Sequence, residues 1–402
     1  MLFSKKPEEE IVAIFDIGNG SVGGALVKLE AHHTPIILYT HREPLTFSPQ
    51  PSPKYLMTAM LKMLETVAVN LHKEGLKRIK HSFFGSHKLR DAYCVFASPW
   101  YISQTKIIKE ENNDAFTISS SAMNELIKKE QDQFTKEIKE GKYQQIFGPD
   151  TVLLEKKIID VKLNGYDIHN PVGKKARELE LTLFSSFISK EIIDSVDKTI
   201  HKAFAVRSIN HSSYSLVSWN ACKILFPDTR DHFFFDVSSE MTDISLISKD
   251  ILIETISFPM GKSELLRRVV KEFDMAPDIA LSSLSTYFSG QIDEKFKQKL
   301  EVVLNRAADD WHEACVGALR QFQKIYALPK AAFVTADLDT AKFFLKALEK
   351  EYPLEFNIAG SKLYPTLIGA DTVQHFVEIF PGATSDSFIT VESIFFNSIF
   401  SR

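Results

Sequence analysis

The first forty residues carry short apolar runs separated by turn residues. Ile11-Val-Ala-Ile-Phe-Asp-Ile17 has strand length and ends in the glycine cluster Gly18-Asn-Gly-Ser-Val-Gly-Gly24. Ala25–Leu29 and Ile36–Thr40 continue a β-meander around a polar turn at His32–Pro35. Four prolines between Pro44 and Pro53 break regular structure. A helix then begins, with Ser52 as N-cap and Pro53 at its first position. Leu56, Met60, Leu61, Leu64, Val67, Ala68 and Leu71 recur on one face, and Gly75 ends it.

A strand at Tyr93–Ala97 precedes a polar helix from Ser119 to about Lys139 and strands near Thr151–Leu163 and Leu179–Phe187. This strand–helix–strand–strand unit is large enough to bury a small core of its own. Helices follow at Lys190–Phe204 and Tyr214–Leu225. A second meander runs through His232–Val237, Thr242–Ile247 and Ile251–Phe258. Ser263–Ile325 reads as nearly all helix, and Ala331–Thr335 and Thr340–Lys350 as a late strand and helix. A meander followed by helices thus occurs twice, near residues 11 and 232. The order of elements predicts an internal duplication.

Composition adds limits. The 402 residues suit two to four domains, and 44% hydrophobic with 25% charged is globular. A net charge of −4 gives no basic field for nucleic acid. Cys94, Cys222 and Cys315 are too far apart for a CxxC-type zinc site or a disulfide scaffold. No run reaches the roughly 18 apolar residues of a membrane span, and Met1–Glu10 lacks the apolar core of a secretory signal. A cytoplasmic location is therefore expected. The histidines form no ligand cluster, and no Gly-x-Ser-x-Gly elbow marks a serine hydrolase.

Three glycine motifs compete for a phosphate. Gly18, Gly20 and Gly23 spell a dinucleotide fingerprint, with Glu43 twenty residues beyond Gly23. That fingerprint needs a helix after the glycines, whereas Ser21–Leu29 reads as a strand. Met260-Gly-Lys-Ser263 resembles the end of a Walker A loop, but Ile256 stands where its first glycine belongs. The third is a strand–turn–strand led by a carboxylate, Asp16-Ile-Gly-Asn-Gly-Ser21. Its glycines admit a phosphate closely, and Asp16 could hold Mg²⁺ through water. The alternative is a plain hairpin whose glycines permit φ > 0.

These parts, in this order, resemble the actin-like ATPase superfamily. Within it the chain looks like the FtsA family of bacterial cell-division proteins, and the PilM family of pilus-assembly scaffolds shares the architecture. Asp16-Ile-Gly18 resembles the first phosphate loop, and Asp236-Val-Ser-Ser-Glu-Met-Thr-Asp243 sits where the second belongs. Phe258-Pro-Met-Gly261 resembles the connector that follows, and Phe333-Val-Thr-Ala-Asp337 the adenosine loop. Tyr166-Asp-Ile-His-Asn-Pro-Val-Gly173 and Leu179–Phe187 resemble the FtsA insert. The resemblance implies an α/β, two-lobed, ribonuclease H-like duplicated fold. The first lobe is placed at 10–87 and 188–228, the inserted strand–helix–strand–strand subdomain at 88–187, the second lobe at 232–262 and 328–402, and a helical subdomain at 263–327.

The resemblance also implies an ATP and Mg²⁺ site. Its cofactor-facing residues would be Asp16, Gly18, Asn19, Gly20, Ser21, Asp236, Ser238, Ser239, Thr242, Asp243, Gly261 and Ala336, with Asp16 and Asp236 at the metal. The departures count against turnover. Ser238, Ser239 and Glu240 replace three glycines of the second loop, and Ala336-Asp337 replaces the Gly-Gly of the adenosine loop. Side chains there crowd the phosphates, and the Glu240 carboxylate repels them. The expectation is a degenerate ATP site in a scaffold that self-associates, recruited to the inner face of the cell membrane. By resemblance to FtsA, the basic residues Arg267, Arg268 and Lys271 would receive the acidic tail of the tubulin-like protein FtsZ. A PilM-type adaptor holding a membrane partner's peptide, and an active ATPase, are the alternatives. The apolar Phe388–Phe400 is expected to be a core helix under the cleft, in preference to a membrane-surface helix, which would be richer in Lys and Arg.

Overall fold

The computed structural model describes residues 8–49, 51–80, 89–140, 150–356 and 362–401. The tail Met1–Pro7 and the expected lobe boundary at 87–88 lie outside these residues. In the first lobe β1 (Glu9–Ile17), β2 (Ser21–Glu30) and β3 (Ile36–Pro44) form the predicted meander. Helix α1 (Pro53–Asn70) starts at Ser52, whose side chain accepts from the Tyr55 amide. It passes through a π-turn at Leu71–Gly75 into α2 (Leu76–Lys80). Strand β4 (Asp91–Phe96) then lies parallel to β1.

The insert follows as β5 (Tyr101–Thr117), α3 (Ser120–Glu140), β6 (Thr151–Leu163), β7 (Tyr166–Asp167) and β8 (Lys175–Ser189), a sheet in the order β5-β8-β6-β7. Helix α3 covers one face with Met123, Ile127, Phe134 and Ile138. Two boundaries differ from the sequence reading. Tyr93–Ala97 is not the first strand of the insert, because β4 completes the first lobe's sheet. That first strand is β5, in which Lys, Glu and Asn at the sheet edge replace an apolar alternation.

The chain returns through α4 (Lys190–Ala203), β9 (Ser208–Ser213) and α5 (Tyr214–Leu225). The second lobe opens with β10 (His232–Val237), β11 (Thr242–Ser248) and β12 (Ile251–Phe258). Three helices follow, α6 (Lys262–Phe273), α7 (Pro277–Phe288) and α8 (Glu294–Gln323), then β13 (Ala331–Ala336), α9 (Ala341–Leu348) and β14 (Tyr364–Leu367). The chain ends with α10 (Ala370–Val373), β15 (Glu378–Ile379) and α11 (Ser387–Phe400). Residues 328–402 were assigned to the second lobe from sequence. Yet β15 pairs with β3, and α11 lies against β2, β1 and α5.

The two large sheets repeat one topology. The first runs β15-β3-β2-β1-β4-β9 and the second β12-β11-β10-β13-β14. Leaving out β15, each is a three-strand antiparallel meander whose first strand carries two parallel strands on its other side. Period-2 alternation then sorts the side chains. Ile11, Ala13 and Phe15 face α1 and α4, whereas Val12 and Ile14 face the other way, toward α5 and α11. Phe233 and Phe235 face α6–α9, and Phe234 faces α5 and α11. The layers are therefore helix, sheet, helix, sheet, helix. By the same alternation Asp16 and Asp236, each following a buried Phe one residue from its strand's end, point into the space between the sheets. Among the described residues, no helix is long and apolar enough to cross a membrane.

Candidate functional site

Asp16 sits at the end of β1, opposite Gly23 of β2, and Gly23 lies opposite Arg42 of β3. The guanidinium of Arg42 crosses over Gly23, where a Cβ would fall 2.5 Å from Nη2. Arg42 donates to Asp16 Oδ2 at 2.7 Å, to Ser21 Oγ at 2.8 Å, and to both oxygens of Asp386 at 2.7 and 3.0 Å. Asp386 caps α11, accepting from the Phe388 and Ile389 amides. The Phe388 ring lies 5.3 Å from the guanidinium. The acid expected to carry Mg²⁺ is thus ion-paired inside the chain. Burial pushes the Asp16 carboxyl up to about 6 against the opposing pull of Arg42.

Asp236, the twin of Asp16, accepts only a 3.3 Å bond from Thr335 Oγ1. Burial, with Asp243 and Asp16 nearby, pushes its carboxyl well above the usual carboxylate value. Glu392 of α11 is fully buried with both oxygens unpartnered, and burial raises it too.

The two expected phosphate loops touch one another. Asn19 donates to Ser238 Oγ at 2.9 Å and to the Ser98 carbonyl at 2.6 Å, and its Oδ1 accepts from the Glu240 amide at 2.9 Å. Ser239 fills the hollow at Gly20, where a Cβ would fall 1.9 Å from its side chain. None of Gly18, Gly20, Gly23 and Gly24 has positive φ. The hairpin alternative, glycines serving φ > 0, therefore does not hold. At Gly20 and Gly23 the requirement is space. The first amides of α6 are also taken: Lys262 donates to the Ser238 carbonyl at 3.1 Å and Ser263 to the Ser239 carbonyl at 2.8 Å. A helix N-terminus that could receive an anion is closed by the loop beneath it.

Of the expected site residues, Asp16, Gly18, Asn19, Gly20, Ser21, Asp236, Ser238 and Ser239 converge on one space, of about 20 Å³. Gly20, Ser21 and Ser239 also line a neighbouring cleft of about 740 Å³, and Ala336 lines only that cleft. Thr242 turns into the second lobe, donating to the Met260 carbonyl and accepting from Trp311. Asp243 accepts from Ser98 at 2.6 Å, and Gly261 packs against the Ser238 carbonyl from behind. Glu240, expected to repel phosphate, is ion-paired instead, with Arg267 at 2.9 Å. Arg267 also pairs with Glu264, and Arg268 with Glu264 and Asp310. Two of the three cations expected to meet an acidic tail are thus spent internally, and Lys271 is exposed. Sequence reasoning missed Arg42 and Asp386, which are 344 residues apart and carry no local motif. The expectation of a core helix for Phe388–Phe400 agrees with α11, most of which is buried.

Mg²⁺ and the phosphates of ATP, which the fold implies, do not fit in the inner space as it stands. That space is about 20 Å³, room for about one water molecule, whereas Gly20, Ser21 and Ser239 also line the larger cleft beside it. Arg42 claims Asp16, and Ser239 fills the hollow at Gly20. Among the described residues no group of three or more His, Cys, Asp or Glu is arranged to hold a metal ion.

Compared with known proteins, the chain matches no family model and no curated protein. Solved structures do match it. A chain of the PilM–PilN type IV pilus biogenesis complex superposes with a TM-score of 0.62 over 99% of this chain and 100% of that one, at 11% identity. The fold is actin-like. More distant matches are the ethanolamine utilization protein EutJ from Carboxydothermus hydrogenoformans and an actin-like-fold protein of unknown function from Bacteroides thetaiotaomicron. EutJ has TM-score 0.43 and 9% identity over 97% of this chain and 90% of that one. The Bacteroides protein has TM-score 0.40 and 10% identity over 98% of each.

Proposed function

We propose that this protein is an actin-fold scaffold that works without hydrolysing ATP, an adaptor that gathers protein partners of an envelope-spanning machine. The observation that carries the reading is the position of Arg42. Its guanidinium joins Asp16, Ser21 and Asp386 where the fold's phosphates and Mg²⁺ belong. An active ATPase needs that space for substrate, and it needs a carboxylate free to act on the phosphate end.

The partner class follows a solved structure of like fold, a chain of a pilus biogenesis complex that is matched along that chain's full length. A pilus-type adaptor, recruited to the cytoplasmic face of the cell membrane through its partners, is therefore preferred to a division scaffold that reads FtsZ. The internal pairing of Arg267 and Arg268 supports the same preference, because an acidic tail would first have to displace Glu240, Glu264 and Asp310. Self-association into filaments stays compatible with either machine.

The test is calorimetric titration of the whole chain with Mg·ATP, alongside a steady-state phosphate-release assay. No saturable heat up to about 1 mM, a weak limit on the affinity scale, and no release above background are expected. Micromolar binding with continuing turnover would overturn the proposal.

A further inference from the structure

The larger cleft is closed to phosphate at its inner end but is otherwise substantial. Its roughly 740 Å³ is a usual size for a small-molecule site. One wall is apolar, built from Leu265 and Leu266 of α6 and Leu281, Leu284 and Phe288 of α7. Leu281 and Leu338 line it while 49% and 58% exposed, and so offer it apolar surface.

Its charge is inverted for a nucleotide. Among the described lining residues are five acids (Glu240, Asp278, Asp337, Asp339 and Asp386) and two bases, Arg42 and Lys262; Glu240 is balanced by Arg267 from outside the lining, which leaves four acids to two bases. Each base is shared by two carboxylates. Arg42 serves Asp16 and Asp386, and Lys262 serves Asp337 at 3.0 Å and Asp339 at 2.7 Å. One cluster belongs to the first sheet and α11, the other to the second lobe. Both are short of positive charge, and both face the cleft. A polyanion would be repelled here, and a bare metal ion would leave Leu281 and Leu338 uncovered.

We propose that the interlobe cleft is a binding site for an unphosphorylated organic cation, a ligand with an apolar body against the α6–α7 leucines and a positive group at the Asp337–Asp339 and Asp386 carboxylates. This rests on the reading that the phosphate position is closed. It assigns the cleft a ligand class of its own. Such a ligand touches both lobes, so binding it favours the closed arrangement over any open one.

The experiment uses a matched pair that share an apolar body and differ in sign. The whole chain is titrated with tryptamine and, separately, with indole-3-acetate, by calorimetry and thermal denaturation at fixed salt. Tryptamine is expected to bind saturably and raise the melting temperature, with indole-3-acetate weaker by about tenfold or more. Asp339→Asn alters a half-exposed side chain while Asp337 still holds Lys262, and it should weaken tryptamine by about threefold to tenfold while leaving indole-3-acetate unchanged or tighter. Equal affinity for the two probes, no tryptamine binding at several millimolar on the weak end of the affinity scale, or indifference to Asp339→Asn each overturns the assignment. The outcomes separate from those of the scaffold proposal. Saturable Mg·ATP binding with turnover refutes the scaffold reading, whereas silence from both indoles with no ATP binding refutes only the cation site.

Discussion

The two β-ribbons that flank the cleft share a backbone plan and have different chemistry. In the first, Phe15-Asp16-Ile17 leads into glycines; in the second, Phe235-Asp236-Val237 leads into Ser238, Ser239 and Glu240. Their registers correspond, with Asp16 opposite Gly23 and Asp236 opposite Asp243. Each has a parallel strand on its other side. The first ribbon has glycines at its turn and an acid paired with Arg42. The second has Ser238, Ser239 and Glu240 at its turn and an acid with no cation on it among the described residues. Each loop also has its own arginine, Arg42 on Asp16 and Arg267 on Glu240. A repeated fold can thus hold its hydrogen-bond register while the chemistry at its two turns differs. Strand pairing and alternate-face packing decide the fold, and neither depends on what stands at the turn.

The comparison is tested most severely at Arg42. Arg42→Ala leaves Asp16 and Asp386 facing one another in a nearly dry site. The expected loss is about 3–5 kcal/mol, as for other broken buried pairs. Denaturant unfolding at pH 7 measures it. Asp16 can relieve the strain by taking a proton, so the loss should shrink at pH 5. A loss below about 1 kcal/mol, the size of an exposed pair, would mean that the Arg42 cluster is not what holds the first ribbon to α11.

The next contrast sets Asp16 against Asp236. The folded pKa of Asp16, about 6, is above its ordinary 3.8. Between these values the native state holds a proton that the unfolded chain has released. Stability from this group is therefore fully present below about pH 4 and falls as pH rises through about 6, by up to about 3 kcal/mol. Asp16→Asn should flatten that part of the profile. Burial raises Asp236 as well, so Asp236→Asn should also remove part of the fall with pH. The two differ in their partners: Asp16→Asn strips Arg42 of a carboxylate, whereas no cation sits on Asp236 among the described residues, so the larger loss at pH 7 should fall on Asp16→Asn. Equal losses at pH 7 would erase the distinction between the ribbons.

Much of this fold is legible in the sequence, and the reason is physical. Strands buried on both faces, such as Ile11–Ile17 and His232–Val237, are unbroken apolar runs, and they are the centres of the two large sheets. The strands that escape reading are polar or very short. Strand β5 is a charged edge strand, β9 is Ser-Ile-Asn-His-Ser-Ser, and β15 is two residues. The lobe assignment of α11 escaped too, because an apolar helix reports that it is buried without reporting against what. The aspartates of the site follow from their place at the strand ends. Arg42 does not, since only the register of β3 on β2 carries it over Gly23. Glu240 was expected to repel phosphate, and a sequence cannot show that Arg267 pairs with it.

Contact between the loops can be broken from either side. Gly20→Ala would place a methyl 1.9 Å from the Ser239 side chain. Overpacking of this kind is expected to cost about 1–3 kcal/mol. The obstacle is a side chain, so Gly20→Ala combined with Ser239→Gly should recover most of the loss in a double-mutant cycle. If the second change gives no rescue, the loops are not seated on one another as described.

The smallest effect belongs to the second ribbon's arginine. Arg267 and Glu240 form a pair whose side chains are 20% and 15% exposed, at the rim of the cleft. Arg267→Ala leaves Glu240 beside open solvent in that cleft, and Glu264 keeps Arg268 as a partner. The expected loss is about 1 kcal/mol, near the top of the range for rim pairs. The variant also frees a carboxylate at the loop that would have to approach phosphate. It should therefore bind Mg·ATP no better than the parent, even though it loosens the loop. Arg42→Ala, in contrast, opens the inner end of the cleft without adding a free acid to the second loop. If either variant gains nucleotide binding, it should be Arg42→Ala. A gain in Arg267→Ala alone would show that the second ribbon, and not the first, is where the site was closed.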